Sequence, residues 1–279
     1  MQRQRTVIDP QRSGVSYWKD LWAYRGLFRF LAWRDLLVRY KQTVIGIAWA
    51  VIKPLLTILI FAFFAHAIAT PTHGVSTLLF VTAAILPWQL FSSGLNDASN
   101  SLISNSSLIS KIYFPRLIVP LSTVIVCLVD FLIALVILIV LMFYYGQPLS
   151  ANIVFLPLFL LLAVLSCMGA GVFLAALNVK FRDFRYVVPF VVQLSLYVSP
   201  VAFISSFILD NPKYPETVKI LFSLNPLVAV IDGFRWCLFG NDFPIHMRSL
   251  ELSCCVTIAL LVFGTWYFRR VEKNFADII

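Results

Sequence analysis

Leu117–Tyr145 reads LIVPLSTVIVCLVDFLIALVILIVLMFYY, twenty-nine residues with a single charge, Asp130. At about 1.5 Å per residue a helix of this length exceeds the roughly 30 Å of hydrocarbon in a bilayer. Five further apolar runs share the character: Val44–Ala69, Ser76–Leu95, Ile153–Leu177, Val187–Ile208 and Leu250–Phe268. Residues are 60% hydrophobic and 13% charged, where soluble domains average about 25% charged. The expectation is an all-α integral membrane protein with six transmembrane helices. It has a cytoplasmic and interfacial segment over 1–43, a six-span bundle over 44–268 and a tail over 269–279.

Basic residues alternate from loop to loop. Arg25, Arg29, Arg34, Arg39 and Lys41 precede the first run, Lys111 and Arg116 follow the second, Lys180, Arg182 and Arg185 follow the fourth, and Arg269, Arg270 and Lys273 follow the sixth. Pro71–Gly74 and Gly146–Asn152, after runs one and three, carry none. Positive residues stay in the cytoplasm, so both termini are expected there. The segment after run five has Lys213, Lys219, Arg235 and Arg248, but it is long and also acidic, and it weighs less. The formal charge of +9 is then a topology signal and an attraction to anionic membrane lipid. No soluble basic domain exists to bind nucleic acid. The first 40 residues lack the short apolar core of a cleavable signal peptide.

Four surface elements punctuate the bundle. Tyr17–Tyr40 has Leu21, Tyr24, Phe28 and Leu31 at helical spacing beside Trp18, Trp22 and Trp33, which suits an N-terminal amphipathic helix at the interface. Asn100–Arg116 contains a short helix stopped by Pro115. Asn178–Arg185 is a tight loop. Leu209–Arg248 holds two apolar patches, Thr217–Leu224 and Leu227–Phe239, split by Asn225-Pro226. Each is too short to span, and together they read as outer re-entrant half-helices or a simple surface hairpin.

Catalytic signatures are missing from the sequence. It has no Gly-x-x-x-x-Gly-Lys-Ser/Thr loop, no His-Glu-x-x-His and no Gly-x-Ser-x-Gly. His66, His73 and His246 are scattered, and the five cysteines lack metal or disulfide spacing. No catalytic, cofactor or metal site is expected. Asp130 lies mid-span, where acids are expensive and face protein or water. Lys53 either pairs with it or snorkels to the interface. Ala163, Cys167, Gly171 and Ala175 form a small-residue stripe for close helix packing, against this chain or a second copy. Tyr186, Phe190, Gln193 and Tyr197 share a polar-aromatic face that suits the passage of sugars. Trp49, Lys53, Trp88 and Phe91 are candidates to extend it.

Arg34-Asp-Leu-Leu-Val-Arg-Tyr-Lys-Gln-Thr-Val-Ile-Gly46-Ile-Ala-Trp49, followed by Lys53-Pro54, resembles the entry to the first span in permease subunits of bacterial polysaccharide ABC exporters, the type-2 ABC class that moves O-antigen, capsule and teichoic acid. Three later segments are similar to the same family in order. They are Asn105–Lys111 with Phe114-Pro115 and Pro120; Asn178 with Arg182-Asp183, Pro189, Gln193 and Ser199-Pro200; and Asn225-Pro226 with Asp232 and Arg235. The resemblance covers roughly Leu21 to Phe275. It implies a pore made by two copies of the chain in the bacterial inner membrane. It also implies two copies of a separate ABC ATPase that binds the ATP and Mg, and a lipid-linked polysaccharide moved to the outer leaflet. By the same resemblance Asn105, Leu108, Ile109, Lys111, Phe114, Pro115, Arg116, Arg182 and Asp183 would couple to the ATPase. Asn225, Pro226, Asp232 and Arg235 would form the outer re-entrant segment. The alternatives are a type-2 ABC permease for a drug or lipid, and a membrane-embedded transferase acting on a lipid-linked sugar.

Overall fold

The computed structural model describes residues 14–41, 48–67, 70–273 and 275, without the side chains of 14–16, 48–51, 53 and 54. Every regular element among the described residues is helical. α1 (Gly14–Ala23) and α2 (Arg25–Lys41) precede α3 (Ala48–Ala67). α4 (Thr77–Ser104) leads through α5 (Ser106–Ile109) to α6 (Ile118–Tyr144). A 3-10 turn, Ala151–Phe155, opens α7 (Leu156–Lys180). Then come α8 (Phe184–Val198), α9 (Ser206–Leu209), α10 (Glu216–Ser223), α11 (Pro226–Phe239) and α12 (Met247–Glu272). The end of the bundle bearing α1, α2 and α5 is called here the near end, and the end bearing α9 and α10 the far end.

α4 is the central helix. Its most apolar stretch is 78% buried, against 33%, 33% and 22% for those of α6, α7 and α12. Hydropathy falls after Leu95, yet the helix continues to Ser104. The polar residues there satisfy themselves on the preceding turn: Asn96 Nδ2 donates to the Ser92 carbonyl at 2.9 Å, Asn100 Nδ2 to Asn96 at 2.9 Å, and Ser101 Oγ to Ala98 at 2.7 Å. Side-chain-to-carbonyl bonds of this kind let Ser and Asn sit inside a buried helix.

Small residues set the helix spacing. Ala163, Cys167, Gly171 and Ala175 are all buried, and the surface they meet belongs to α4. A Cβ on Gly171 would lie 2.8 Å from the Ala98 methyl, and one on Gly94 would lie 2.5 Å from Cys167 Sγ. The stripe is therefore filled within the chain. The opposite face of α7 approaches α12 as closely: a Cβ on Gly169 would sit 2.7 Å from the Leu261 amide nitrogen, and one on Gly264 would strike the Gly169 carbonyl. Ser166 and Thr257 hydroxyls hydrogen-bond across this seam at 2.7 Å. Backbone contact of this kind is how helices associate where lipid removes the usual hydrophobic drive.

Among the described residues four helices, α4, α6, the turn-plus-α7 unit and α12, are long and apolar enough to cross a membrane. α10 and α11 make a fifth only if counted together, and they are bent by 78°. The expected fifth run, Val187–Ile208, is not one helix. α8 stops at Val198, its 15 residues covering about 22 Å, because Pro200 holds Ser199 extended at ψ 147° and offers no N–H. The side chains of α3 are described in part only, chiefly Leu55–Ala67.

Replacing Gly169 with alanine is expected to force α7 and α12 apart and cost about 1–3 kcal/mol, seen as a lower thermal midpoint of the purified chain in detergent. Gly26→Ala, with nothing within 4 Å of its Cβ, serves as the unaffected control. Equal midpoints for the two variants would contradict the backbone contact.

Candidate coupling and passage surfaces

α1 and α2 turn the Leu21, Tyr24, Phe28 and Leu31 stripe inward. Leu31 is buried, and the others pack around it against Leu102, Ile109, Phe114, Leu117 and Phe268. Trp18, Trp22, Phe30 and Trp33 are left exposed. At its C-terminal end α2 inserts Arg39 between two transmembrane carboxylates. One Arg39 nitrogen bonds Asp97 of α4 and the other bonds Asp130 of α6. Tyr40 donates to the second oxygen of Asp130. Burial, with that hydrogen bond and the Asp130 charge, holds the Tyr40 phenol above its ordinary pKa, so it stays a donor. Asp130 thus has two partners from α2, where Lys53 had been considered; the Lys53 side chain lies outside the described residues. One turn earlier Arg34 pairs with Asp35 at 2.6 Å and donates to Asn105 Oδ1 at 2.6 Å. α2 therefore grips both the spans and the kink at which α4 becomes α5.

Of the residues expected to couple to a partner, Ile109, Phe114 and Pro115 are buried and Asn105 is held by Arg34. Lys111, with Ile112 and Tyr113, is exposed, as are Arg182 and Asp183 in the α7–α8 loop. Leu108 is half-buried. Arg116 faces inward: its backbone N–H donates to Glu272 Oε1 at 2.8 Å and its Nη1 to the Glu272 carbonyl at 2.6 Å. The Tyr17 hydroxyl is buried near the same carboxylate with no hydrogen-bond partner among the described residues, and burial first, then the Glu272 charge, holds its pKa above the ordinary phenol value. Glu272 so ties the start of α6 to the end of α12, and Arg269 of α12 lies 4.7 Å over the Tyr17 ring of α1.

The aromatic candidates divide. Tyr186, Phe190, Gln193 and Tyr197 form one exposed face of α8, with Tyr186 79% and Tyr197 67% exposed. Trp88 and Phe91 are each 9% exposed and belong to the core. They are not brought onto the α8 face. The side chain of Trp49 lies outside the described residues. Phe61 of α3 meets Tyr197 with ring centroids 6.5 Å apart, so an exposed apolar surface runs from α8 onto α3.

At the far end, Asn225 caps α11, accepting from the Leu227 amide at 3.1 Å with Pro226 in the first turn. This is where the two half-helices bend. Arg235 is 1% exposed. It donates to the carbonyls of Val201 and Phe203 at 2.9 Å each and lies 3.6 Å over the Phe80 ring. The chain unwound after Pro200 thus supplies the acceptors that a buried guanidinium requires. Asp232 accepts from Ser205 Oγ at 2.7 Å. Among the described residues no group of three or more His, Cys, Asp or Glu is placed to hold a metal ion.

A bundle with a bent helix pair at one end and a clamped helical platform at the other can be compared with known membrane proteins. Residues 26–239 match the model of the ABC-2 type transporter family, well over half the chain. The chain belongs to the ABC-2 type transporter family. An O-antigen export system permease protein RfbA of Klebsiella pneumoniae is 30% identical over 247 residues, 88% of this chain and 92% of its own length. The RfbA of Myxococcus xanthus is 26% identical over 94% of this chain and 98% of its own. The capsule polysaccharide export inner-membrane protein CtrC of Neisseria meningitidis serogroup B is 22% identical over 93% and 96%. The resemblance read from the sequence and the family match agree, and the ABC-2 chain is a multi-pass protein of the bacterial inner membrane.

Sequence reasoning missed Asp97, Tyr17, Glu272 and the inward role of Arg39 in this ABC-2 protein. The available signal was the polar stretch just after the second apolar run and the Arg-Tyr pair just before the first. Arg39→Met is expected to leave two carboxylates without a counter-charge, Asp130 keeping only its hydrogen bond from Tyr40. The side chains of Arg39, Asp97 and Asp130 are 33%, 37% and 29% exposed, so the cost, about 1–3 kcal/mol, falls below the roughly 3–5 kcal/mol of breaking a fully buried pair. Adding Asp97→Asn and Asp130→Asn should recover most of it in thermal denaturation. A triple variant no more stable than Arg39→Met would contradict the bridge.

Proposed function

We propose that this chain is the membrane-spanning half of an ATP-driven exporter that moves a lipid-linked polysaccharide, O-antigen-like in character, from the cytoplasmic to the outer leaflet. The reading is carried by family membership together with three relatives whose names specify O-antigen or capsule polysaccharide export, each matched over nearly its full length. In it the near end is cytoplasmic, with both termini, and the far end is outer. α3 and α8 complete six spans, the short α8 being extended by the chain beyond Pro200. Two copies pair to form the pore, and the exposed faces of α3 and α8 are where the second copy and the glycan are met. A soluble ABC ATPase, in two copies, supplies ATP and Mg binding, since this chain has no phosphate-binding loop. The exposed Trp face of α1 and α2 rests on the cytoplasmic leaflet.

The near-end geometry supports a route by which such coupling would travel. The exposed tip Lys111–Tyr113 and the Arg182-Asp183 loop form the surface offered to the ATPase. A push on that tip reaches α4 through Asn105, α2 through Arg34, and α12 through Arg116 and Glu272. α2 carries the displacement to α4 and α6 through Arg39. α8 is held to the core by Val188, Val192 and Leu196 and turns most of its other side chains outward. Rings on α8 give glycan units a surface to slide over, and wide exposure keeps the contact sparse.

Deleting the gene is expected to abolish surface polysaccharide and to accumulate its lipid-linked precursor on the cytoplasmic side; the wild-type chain should reverse both. Normal surface polysaccharide in the deletion strain would remove this reading. Phe190→Ala with Tyr197→Ala should shorten or reduce the exported glycan without loss of membrane-inserted protein, and export identical to wild type would take α8 out of the passage. Lys111→Glu should abolish export with the chain fully stable. Arg116→Glu should lower stability first, because it opposes Glu272.

A further inference from the structure

His246, at the start of α12, stands between two carboxylates. Its Nε2 meets the two Asp210 oxygens at 3.2 and 3.3 Å. A carboxylate only accepts, so this nitrogen carries a proton. On the other side of the ring, Nδ1 faces Asp232 Oδ2 of α11 at 4.0 Å. Both of these atoms are buried, and neither has a hydrogen-bond partner among the described residues. The second Asp232 oxygen accepts from Ser205 Oγ at 2.7 Å. Asp210 closes the C-terminal end of α9. One imidazole therefore stands where α9, α11 and α12 meet at the far end, bonded to an exposed acid and facing a buried one across a gap.

We propose that Asp210, His246 and Asp232 form a proton-operated latch, closed in acid, that fastens α9 and α11 to the start of α12. A ring protonated on Nε2 alone has a lone pair on Nδ1, and a lone pair aimed at a carboxylate makes no bond. That is the open form, and it leaves two buried polar atoms unsatisfied, which is costly. A proton taken up between His246 and Asp232 belongs to the pair rather than to either residue. It turns the gap into a donor and an acceptor, which can close to the roughly 2.8 Å of a charge-assisted bond. The other charges around the cluster have partners of their own. Arg235 of α11 favours a charged Asp232 but donates to the Val201 and Phe203 carbonyls. Glu216 of α10 stands between Lys219 of α10 at 3.4 Å and Arg248 of α12 at 2.9 Å. The folded chain brings the three groups together and the unfolded chain does not, so closure is favoured as pH falls and is lost as pH rises. Histidine is the side chain whose ordinary titration falls within the physiological range. With the far end outer, a placement that rests on the reading above, the latch responds to acidity outside the membrane and tightens the exit end there.

The test is hydrogen–deuterium exchange of the full-length chain in lipid nanodiscs at pH 5 and pH 8, each corrected for the intrinsic pH dependence of exchange. Peptides covering residues 205–212 and 246–252 are expected to exchange about tenfold more slowly at pH 5, as for the gain of one charge-assisted hydrogen bond. His246→Gln takes up no proton and should abolish the difference, while His66→Gln, at an exposed position of α3, should keep it. Asp210→Asn removes the exposed acid and should shrink the difference even where His246→Gln does not fold. Equal exchange of the wild-type chain at the two pH values would overturn the latch, and so would a difference that survives unchanged in both His246→Gln and Asp210→Asn. Exchange in the purified chain does not depend on export, so these results discard the latch alone; a deletion strain with normal surface polysaccharide would discard the exporter reading and the outer placement with it.

Discussion

Asp97 and Asp130 stand on neighbouring helices of an apolar bundle, and Arg39 is the group that allows both to be there. Two carboxylates facing one another, each about a third exposed, would still repel without a cation between them. A guanidinium has a rigid fork that can serve both at once, which a lysine ammonium cannot do with the same geometry. Arg39 belongs to neither helix. It comes from α2, so the charge balance of the bundle depends on an element packed against its near end. α2 cannot leave without exposing the two acids, and the acids cannot separate without releasing α2. Arg34 repeats the grip at Asn105, where the chain turns from α4 into the exposed near-end tip. Arg34, Asp35, Arg39 and Tyr40, which make these contacts, open the Arg34–Trp49 stretch that resembles the entry to the first span of polysaccharide exporters.

The two ends of the molecule solve the problem of buried charge differently. Near-end charges pair with opposite charges across elements. At the far end Arg235 is fed by neutral groups, the carbonyls of Val201 and Phe203 that became free when α8 ended at Ser199-Pro200, and it is stacked on Phe80. Unwound backbone at membrane depth is tolerable only where such a partner satisfies it. The bend at Asn225-Pro226 then has a purpose: it turns α11 so that Arg235 reaches those carbonyls. Between the two ends, α4 with α7 and α7 with α12 approach to backbone contact and form a stiff centre, while α3 and α8 present wide exposed faces. Rigidity in the middle and open surface at the flank are what the proposed pairing of two copies would require.

Much of this was legible in the sequence, and the reasons are local. Hydropathy runs mark helices because every backbone group in lipid must bond within its own segment. Asn225-Pro226 marks a helix start because asparagine caps and proline tolerates the first turn. The small-residue stripe on α7 announced close packing, though only the structure names α4 as its partner. What stayed hidden was tertiary. Arg39 meets residues 58 and 91 positions away, and no local pattern reveals such a pairing. The polar half of α4 looked like a loop because its side chains bond their own helix, which hydropathy does not register. Pro200 was visible, but the apolar residues beyond it masked the break. Trp88 and Phe91 were grouped with Tyr197 because an aromatic packed in a core and one on an open face look alike until burial is known.

The central claim is that the near end, gathered by α2, is a platform for a separate ATPase. Affinity purification of the tagged chain from native membranes in mild detergent, with identification of stoichiometric partners, tests it most directly. The account predicts recovery of an ATPase carrying a phosphate-binding loop, in equal amount to this chain. Recovery of the chain alone from several detergents would contradict it.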